Sequence, residues 1–465
     1  MGVDVRGITA DSRAVRPGFM FAALPGVKAD GRQFIADAVA RGAVAVLAPE
    51  GTLWPTGVPP RPLLVDPSPR ERLAKIAAEL AGPMPDTLVA VTGTNGKTST
   101  VDFLRQILSL SGREAASLGT LGVVAKGVDA ADSLTTPDPV TLANTLSMLA
   151  AKGVTHAALE ASSHGIAQSR LDGLHFAAAG MTNLTRDHLD YHGSLKAYRA
   201  AKLRLFDKLL PAGAPAVAMA DMEKETLHAL RGIAVRRGLD LRLVGVAGVR
   251  TLPAGQEVEV NISGSRRRVL LNLPGRFQAD NALLAAALAE SVGVLDALHK
   301  VPWLIGVRGR LECAAVLDNG AAAYVDYAHS PDAIERVLMA LRPHAAGKLV
   351  IVFGAGGDRD RGKRPLMGAA AARLADIVIV TDDNPRSEAP AAIRKEILAA
   401  SAGAIEIGDR RAAIAAGLSM LGPDDVLVVA GKGHEQGQII GDAVVPFDDA
   451  AVIRSLAGSA PPGIG

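Results

Sequence analysis

The segment TLVAVTGTNGKTSTVDFLRQIL, residues 87–108, constrains the fold more than any other stretch. Thr87–Val91 is an apolar run that reads as a buried strand. A turn bracketed by Gly93 and Gly96 follows, and Lys97-Thr98 open an amphipathic pattern over Val101–Leu110 that reads as a helix. Strand, glycine loop and helix in this order aim backbone N–H groups and the positive end of a helix dipole at an anion. The glycines allow torsions and a close approach that side chains would block. Gly93, Thr94, Asn95, Gly96, Lys97, Thr98 and Ser99 therefore read as a nucleotide loop, with Lys97 for the outer phosphates and the Thr98 hydroxyl for a magnesium ion. The spacing departs from G-x-x-x-x-G-K-[ST], because residue 91 is valine.

Around this loop, short apolar runs alternate with helical patterns. Val154–Leu159, Ala177–Thr182 and Ala214–Ala220 read as strands, and Leu195–Leu209 as a helix, which predicts a mostly parallel sheet covered on both faces. EVEVNISGSRRRVLLNL, residues 257–273, alternates by twos about a glycine and reads as an antiparallel hairpin. Before the loop, Phe19–Leu24, Ala43–Leu47 and Leu63–Val65 read as strands, with helices over Arg32–Arg41 and Pro69–Leu80. The cluster AGPMPD, residues 81–86, then punctuates the chain. After VRGRLE (307–312) a hairpin precedes strands Lys348–Phe353, Asp376–Thr381 and Val426–Ala430, with helices Arg364–Ala375 and Ala391–Ala400 between them. The fold class expected is α/β in three domains: a small N-terminal α/β domain (1–86), a central P-loop-type ATP-binding domain with a mostly parallel sheet (87–307), and a C-terminal Rossmann-like domain (308–465).

Composition narrows the partners. With 50 basic and 48 acidic residues the formal charge is only +2, so neither nucleic acid nor an anionic membrane is expected and any anion site must be local. No stretch approaches the ~20 apolar residues a membrane span requires, and the first residues have no apolar core of a signal peptide. The lone cysteine, Cys313, reads as a small core residue and fits a reducing, cytoplasmic setting.

Other strand ends carry chemistry. VTHAALEASSHG (154–165) brings Glu160 to the carboxyl end of a parallel strand, where ligands bind and where a carboxylate can hold magnesium. Ser162, Ser163 and His164 follow as candidate donors. Residues 182–206 hold Asp187, His188, Asp190 and His192, in a spacing that suits magnesium near phosphate better than zinc. On composition alone Lys202 reads as an exposed helix charge. In the third segment VFGAGGDRDRGKRP (352–365), TDDNPRSE (381–388) and AGKGHE (430–435) each end a strand. The first resembles an anion site; together they suit a zwitterion, arginine for its carboxylate and Asp or Glu for its ammonium.

In order along the chain, TGTNGKT (92–98), TTP (135–137), EASSHG (160–165), DHLDYHG (187–193), YRAAK (198–202), GRLE (309–312), DYAHSPD (326–332), GGDRDRGKRP (356–365), DNPR (383–386) and GKGHE (431–435) resemble the Mur ligase family. DSR (11–13) and KADGR (28–32) extend the resemblance into the first segment. It implies three domains, for the UDP end of the substrate, for ATP and for the incoming amino acid. By match, Asn281, Arg310 and Asp326 would complete the ATP site; Ser12, Val27, Lys28 and Ala29 would touch the uridine end; and Thr135, Thr136, Ser162, Gln168 and Arg170 would contact the muramoyl-peptide. Thr98, Glu160, His188 and Lys202 would serve two magnesium ions, the second through a carbamate on Lys202, and Lys97, Glu160, His188 and Lys202 would form the catalytic set. Arg359, Asp383, Asn384, Pro385, Arg386, Gly431 and Glu435 match the amino-acid receptor, and DNPR is associated with members that add meso-2,6-diaminopimelate. Leu134 stands where some of these have asparagine, and Ser330 where threonine is common.

The resemblance thus implies a cytoplasmic, monomeric, ADP-forming ligase of peptidoglycan precursor synthesis. It would join UDP-N-acetylmuramoyl-dipeptide to diaminopimelate through an acyl phosphate. The alternatives are a lysine-adding or folylpolyglutamate-type ligase and, in another class, a P-loop NTPase switch or motor. The first lacks the arginine of DNPR, the second the long uridine-binding segment, and the third has no use for TTP, YRAAK and DNPR.

Overall fold

The computed structural model describes residues 4–26, 29–128, 135–185, 189–262 and 265–458. The chain divides into two compact units, Met1–Val244 with Leu284–Ala297, and Gly245–Leu283 with Leu298–Gly465.

The first unit opens with a four-stranded, wholly parallel sheet of β1 (Gly7–Thr9), β2 (Phe19–Ala22), β3 (Ala45–Ala48) and β4 (Leu63–Val65), in that order. The helix expected over Arg32–Arg41 is divided. Asp30 accepts from the Arg32 N–H and caps a 3-10 turn, Gly31–Phe34, before the α-helix Ile35–Ala40. Helix Pro69–Ala81 carries proline in its first turn, where no N–H is needed, and buries Leu73, Ala74, Ile76 and Ala77 at helical spacing. It packs against helix Pro139–Ala151, which Asp138 caps through the N–H groups of Val140 and Thr141. The Ser147 hydroxyl donates to the Ala81 carbonyl, joining the two helices at 2.6 Å.

The central sheet of this unit contains β5 (Thr87–Thr92), β6 (Ala115–Gly119), β7 (Gly122–Ala125), β8 (His156–Glu160), β9 (Ala178–Met181), β10 (Pro215–Met219) and the first residues of β11 (Asp240–Leu252). Its order is β11-β10-β9-β5-β8-β6-β7, parallel except for the edge strand β7. The connection from β5 runs to β6 on one side, and that from β8 crosses β5 to β9 on the other. The carboxyl end of β5 is therefore a topological switch point, where ligands of open α/β sheets bind. Residues of β5 and β8 are buried on both faces, which gives continuous apolar runs rather than alternation. Helix Leu195–Arg204 widens into a π-turn over Leu205–Leu209, so that the consecutive Leu205 and Phe206 are both buried.

In the second unit the remainder of β11 pairs antiparallel with β12 (Gly255–Ile262), which pairs with β13 (Ser265–Leu271), the hairpin expected from sequence. The length of β11 was not legible: glycines interrupt its pattern, and a register shift lies between Val246 and Gly248. A second sheet has β14 (Glu312–Val316), β15 (Ala322–Asp326), β16 (Leu349–Phe353), β17 (Ile377–Val380), β18 (Ile405–Glu406) and β19 (Val426–Ala430), in the order β14-β15-β19-β16-β17-β18 with only β14 antiparallel. Leu349, Ile351 and Phe353 enter one core and Val350 and Val352 the other, so both faces are covered. The hairpin β20 (Gly437–Ile440) and β21 (Ala443–Pro446) and a last helix, Asp449–Ala457, complete the unit. Among the described residues no helix is long and apolar enough to cross a membrane.

Candidate functional site

In the first unit, the ends of β5, β8 and β9 converge. Gly93 has φ +148°, and a Cβ on it would lie 1.8 Å from the Thr182 hydroxyl oxygen, so only glycine fits. That hydroxyl donates to the Asn95 carbonyl at 2.6 Å, and the Asn95 N–H donates to Asn183 Oδ1 at 2.9 Å. The segment after β9 thus sets the shape of the loop. Gly96, at φ +81°, turns the chain into helix Lys97–Leu110. Lys97 Nζ donates to the Gly93 and Thr94 carbonyls at 3.0 and 2.8 Å.

Glu160 is 2% exposed. Its Oε1 accepts from the Thr120 N–H at 2.8 Å. A Cβ on Gly119 would lie 2.0 Å from that oxygen, a second place where side-chain absence makes room for the site. Burial pushes the carboxyl above its usual value, against the Thr120 N–H, the Thr98 hydroxyl and the Lys97 charge, which pull it down. Thr98 and Lys97 thus both lie close enough to Glu160 to act on its carboxylate.

Lys202, read from composition as exposed, is 1% exposed. Its Nζ donates to the Gly93 carbonyl at 2.6 Å and lies 4.5 Å from the Tyr198 ring centre. The Tyr198 hydroxyl in turn donates to Thr94 Oγ1 at 3.2 Å, so this helix also touches the loop after β5. The helical spacing of the run Leu195–Arg204 carried Tyr198 as a signal, but nothing in it revealed that Lys202 faces inward.

The residues expected to meet the peptide substrate gather beside Glu160. Thr136 Oγ1 donates to the Glu160 carbonyl at 2.8 Å and accepts from the Ser162 N–H at 3.1 Å. The Thr135 hydroxyl lies 3.0 Å from that of Thr120. Arg170 donates to the Thr136 carbonyl at 2.5 Å and to Gln168 Oε1 at 2.7 Å. Gln168 and Arg170 also border a cavity of about 760 Å³ lined by Asp11, Arg16, Arg70, Asp138 and Asn144 among others. Arg70 donates to the Pro25 carbonyl at 2.5 Å. Asp11, whose carboxyl Arg13 holds at about 2, and Asp138, a helix cap, are already engaged. Arg16 and Arg70 were not singled out in the sequence; nothing in their spacing marks them. Ser12 is buried and its hydroxyl bonds Asp37, holding that carboxyl below its usual value, and it does not line the cavity. Ala29 is exposed. Val27, Lys28, Leu134, Asp187 and His188 lie outside the described residues.

The second unit gathers the ends of β15, β16, β17 and β19. Asp326 accepts from the Leu311 and Ala328 N–H groups, both at 2.8 Å, while burial pushes it above its usual value. Arg310 is exposed, its guanidinium 4.8 Å from the Tyr327 ring centre. Asn281 is buried on helix Arg276–Ser291. Among the residues expected to receive the amino acid, Asn384 Nδ2 donates to Glu435 Oε2 at 2.9 Å, and Arg386 Nη1 donates to the Gly357 carbonyl at 2.8 Å from a left-handed backbone, φ +51°. Pro385 is buried between them. Gly431 stands where a Cβ would lie 2.5 Å from Asp383 Oδ2. Lys432, not singled out in the sequence, is fully buried among Asp383, Asn384 and Glu435.

The reading of residues 352–365 as an anion site is corrected. Arg364 is fully buried and paired with Glu388 and Glu396, and Arg361 with Glu396, so these cations already have anions. Lys363 donates to the His329 carbonyl, and Arg359 is exposed. Cys313 is partly buried against the core of the second unit, and burial pushes its thiol up to about 12.

Thr98 and Glu160 offer hard oxygen donors of the kind a magnesium ion takes, the rest of its shell being filled by phosphate and water.

Comparison with known proteins accords with this arrangement. Residues 91–289 match the description Mur ligase middle domain, residues 309–433 Mur ligase, glutamate ligase domain, and residues 4–79 Mur ligase family, catalytic domain. A UDP-N-acetylmuramoyl-L-alanyl-D-glutamate–2,6-diaminopimelate ligase of Caulobacter vibrioides is 54% identical over 470 residues, covering 98% of this chain and 96% of its own. That of Agrobacterium fabrum is 52% identical over 462 residues, covering 97% and 93%. A solved ligase of the same description superposes with TM-score 0.78 at 35% identity, over 98% of this chain and 95% of its own. The MurF ligase of Thermotoga maritima in complex with ADP, at 20% identity and TM-score 0.55, shares the fold. Matched from residue 4 to residue 433 by three successive domains of one kind, the chain belongs to the Mur ligase family.

Proposed function

We propose that the chain is an ATP-dependent ligase that joins meso-2,6-diaminopimelate to the D-glutamate carboxylate of UDP-N-acetylmuramoyl-L-alanyl-D-glutamate. The observation that carries this reading is the receptor on the second unit, with Arg386 and Glu435 flanking Asn384. Diaminopimelate has a carboxylate at its side-chain end that lysine lacks, and a guanidinium can take it bidentately. An amino acid without that carboxylate leaves Arg386 partly unsatisfied, and mismatches of this kind reject strongly. The names of the relatives support the same substrates. The anionic dipeptide substrate suits the first unit's cavity, where Arg16, Arg70 and Arg170 line the wall.

An ionised carboxylate is a poor electrophile because its leaving group would be oxide. In the proposed reaction the glutamate carboxylate oxygen attacks the γ-phosphorus of ATP, and ADP leaves. The neutral amine of diaminopimelate then attacks the acyl carbon, and phosphate leaves as the amide forms. The protein's work is positioning and charge neutralisation. The loop 93–99 cradles the phosphates, Lys97 faces them, and Thr98 with Glu160 would hold magnesium, which neutralises phosphate charge when bound. Lys202 is read as carbamylated. A lysine amine that adds carbon dioxide becomes a carbamate, which keeps one N–H for the Gly93 carbonyl. Asn281, Arg310 and Asp326 are assigned to the nucleotide, and His188 to the metal. We assign residues 1–86 to the uridine end, 87–307 to ATP and 308–465 to the amino acid, in a monomeric cytoplasmic enzyme.

The test is phosphate release with UDP-N-acetylmuramoyl-dipeptide and ATP, comparing meso-diaminopimelate with L-lysine. Release that depends on diaminopimelate and is at least a hundredfold slower with lysine is expected. Equal turnover with lysine would refute the specificity, and release needing neither amino acid would favour the NTPase.

A further inference from the structure

We infer that Lys432 is a positioning residue for the amino-acid receptor: its buried ammonium fixes which way the Asn384 amide and the Glu435 carboxylate are presented. The inference rests on the diaminopimelate reading above.

Lys432 follows Gly431 at the end of β19 and is 0% exposed. Its Nζ donates to Asn384 Oδ1 at 2.9 Å and lies 3.4 Å from Glu435 Oε2 and 3.8 Å from Asp383 Oδ1. The Ile439 N–H donates to the same Asn384 Oδ1 at 2.9 Å. Two donors converging on one amide position require the oxygen there. The NH2 group must then point the other way, and it does, to Glu435 Oε2 at 2.9 Å. Glu435 therefore spends Oε2 on Asn384 and Lys432, leaving Oε1 for a ligand ammonium.

The cation also sits between two carboxylates. Asp383 is buried, and Gly431 can bear no Cβ because Asp383 Oδ2 occupies its place. Burial pushes Asp383 above its usual carboxyl value, the Glu435 charge adds to this, and Arg410 and Lys432 oppose it. Without Lys432 the two acids would repel, and Asn384 would keep a single donor. The hairpin β20–β21 closes the arrangement from the other side: Gln438 Nε2 donates to the Asp383 carbonyl at 2.6 Å, and the Arg386 N–H donates to the Ile439 carbonyl at 3.1 Å. Lys432 thus joins the end of β19, the turn 383–386 and the hairpin, without itself being open to a ligand.

Lys432→Met preserves length and packing while removing the donor and the charge. It is expected to raise KM for diaminopimelate at least tenfold, with KM for ATP and for the UDP-dipeptide changed less than twofold. Lys432→Gln keeps a donor without the charge; it should fall between the wild type and Lys432→Met, and it serves alone should Lys432→Met not fold. A rise confined to KM for diaminopimelate and partly relieved in Lys432→Gln is the signature a merely structural role would not give. A KM for diaminopimelate at the wild-type value in either variant, or equal rises for all three substrates, overturns the inference. A wild-type protein that turns over no diaminopimelate would overturn the ligase reading and this inference with it; wild-type turnover with unaltered variants overturns the inference alone.

Discussion

Replacing Asp449 by leucine should destabilise the second unit by about 3–5 kcal/mol, the cost of removing one partner from a buried ion pair. Arg410 and Asp449 are both 0% exposed and meet bidentately, Nε to Oδ1 and Nη2 to Oδ2, each at 2.7 Å. The guanidinium has two further acceptors, the Asp382 carbonyl at 3.2 Å and the Ala430 carbonyl at 3.0 Å. Those bonds, with the more distant charges of Asp383 and Glu435, still solvate the cation in part and place the expectation near the lower end of the range. Arg410→Met should cost a similar amount, because it strands a buried carboxylate. In the double variant both charges are gone, so its cost should fall short of the sum by at least about 2 kcal/mol, as expected of groups in contact. Urea unfolding followed by circular dichroism gives the four free energies. Additivity within about 0.5 kcal/mol would refute the reasoning, since independent sites add to that precision. Because the two carbonyls immediately precede Asp383 and Gly431, the single variants should also raise KM for diaminopimelate more than KM for ATP.

Gly93→Ala should raise KM for ATP at least tenfold while the fold survives, because the new Cβ would displace the Thr182 hydroxyl from Asn95; an unchanged KM would contradict the close approach. Lys202→Ala should lose nearly all turnover, and added bicarbonate should not restore it; wild-type turnover in that variant would remove the carbamate from the reaction. Burial pushes the His344 imidazole below 6.5, against its bonds to the Leu252 and Gly255 carbonyls, while its Nε2 accepts from the Gly275 N–H. The fold therefore favours the neutral ring. Its contribution is complete above pH 6.5 and is lost as pH falls below it, because the unfolded chain takes up the proton first. The urea midpoint should drop from pH 7 to pH 5 more steeply in the wild type than in His344→Gln, and equal slopes would exclude this histidine.

The sequence by itself determined the alternation of strand and helix, the β5–loop–helix unit and the strand ends at which Glu160, Asp383–Arg386 and Gly431–Glu435 stand. These follow from local causes: apolar runs too short for helices, glycines at positive φ, and caps such as Asp138 and Ser330. What the tertiary structure decided is which charges face inward. Lys202 and Lys432 sit in a helix and a turn whose composition suits solvent, yet both are buried, because the Gly93 carbonyl and the Asn384 amide reach them from segments 109 and 48 residues away. The same long-range pairing turned Arg361 and Arg364 from candidate anion ligands into scaffold, and gathered Arg16, Arg70 and Arg170 around one cavity. A periodic pattern records the face a side chain takes relative to its own element; the partner that makes burial of a charge tolerable comes from another element, and no local pattern encodes it.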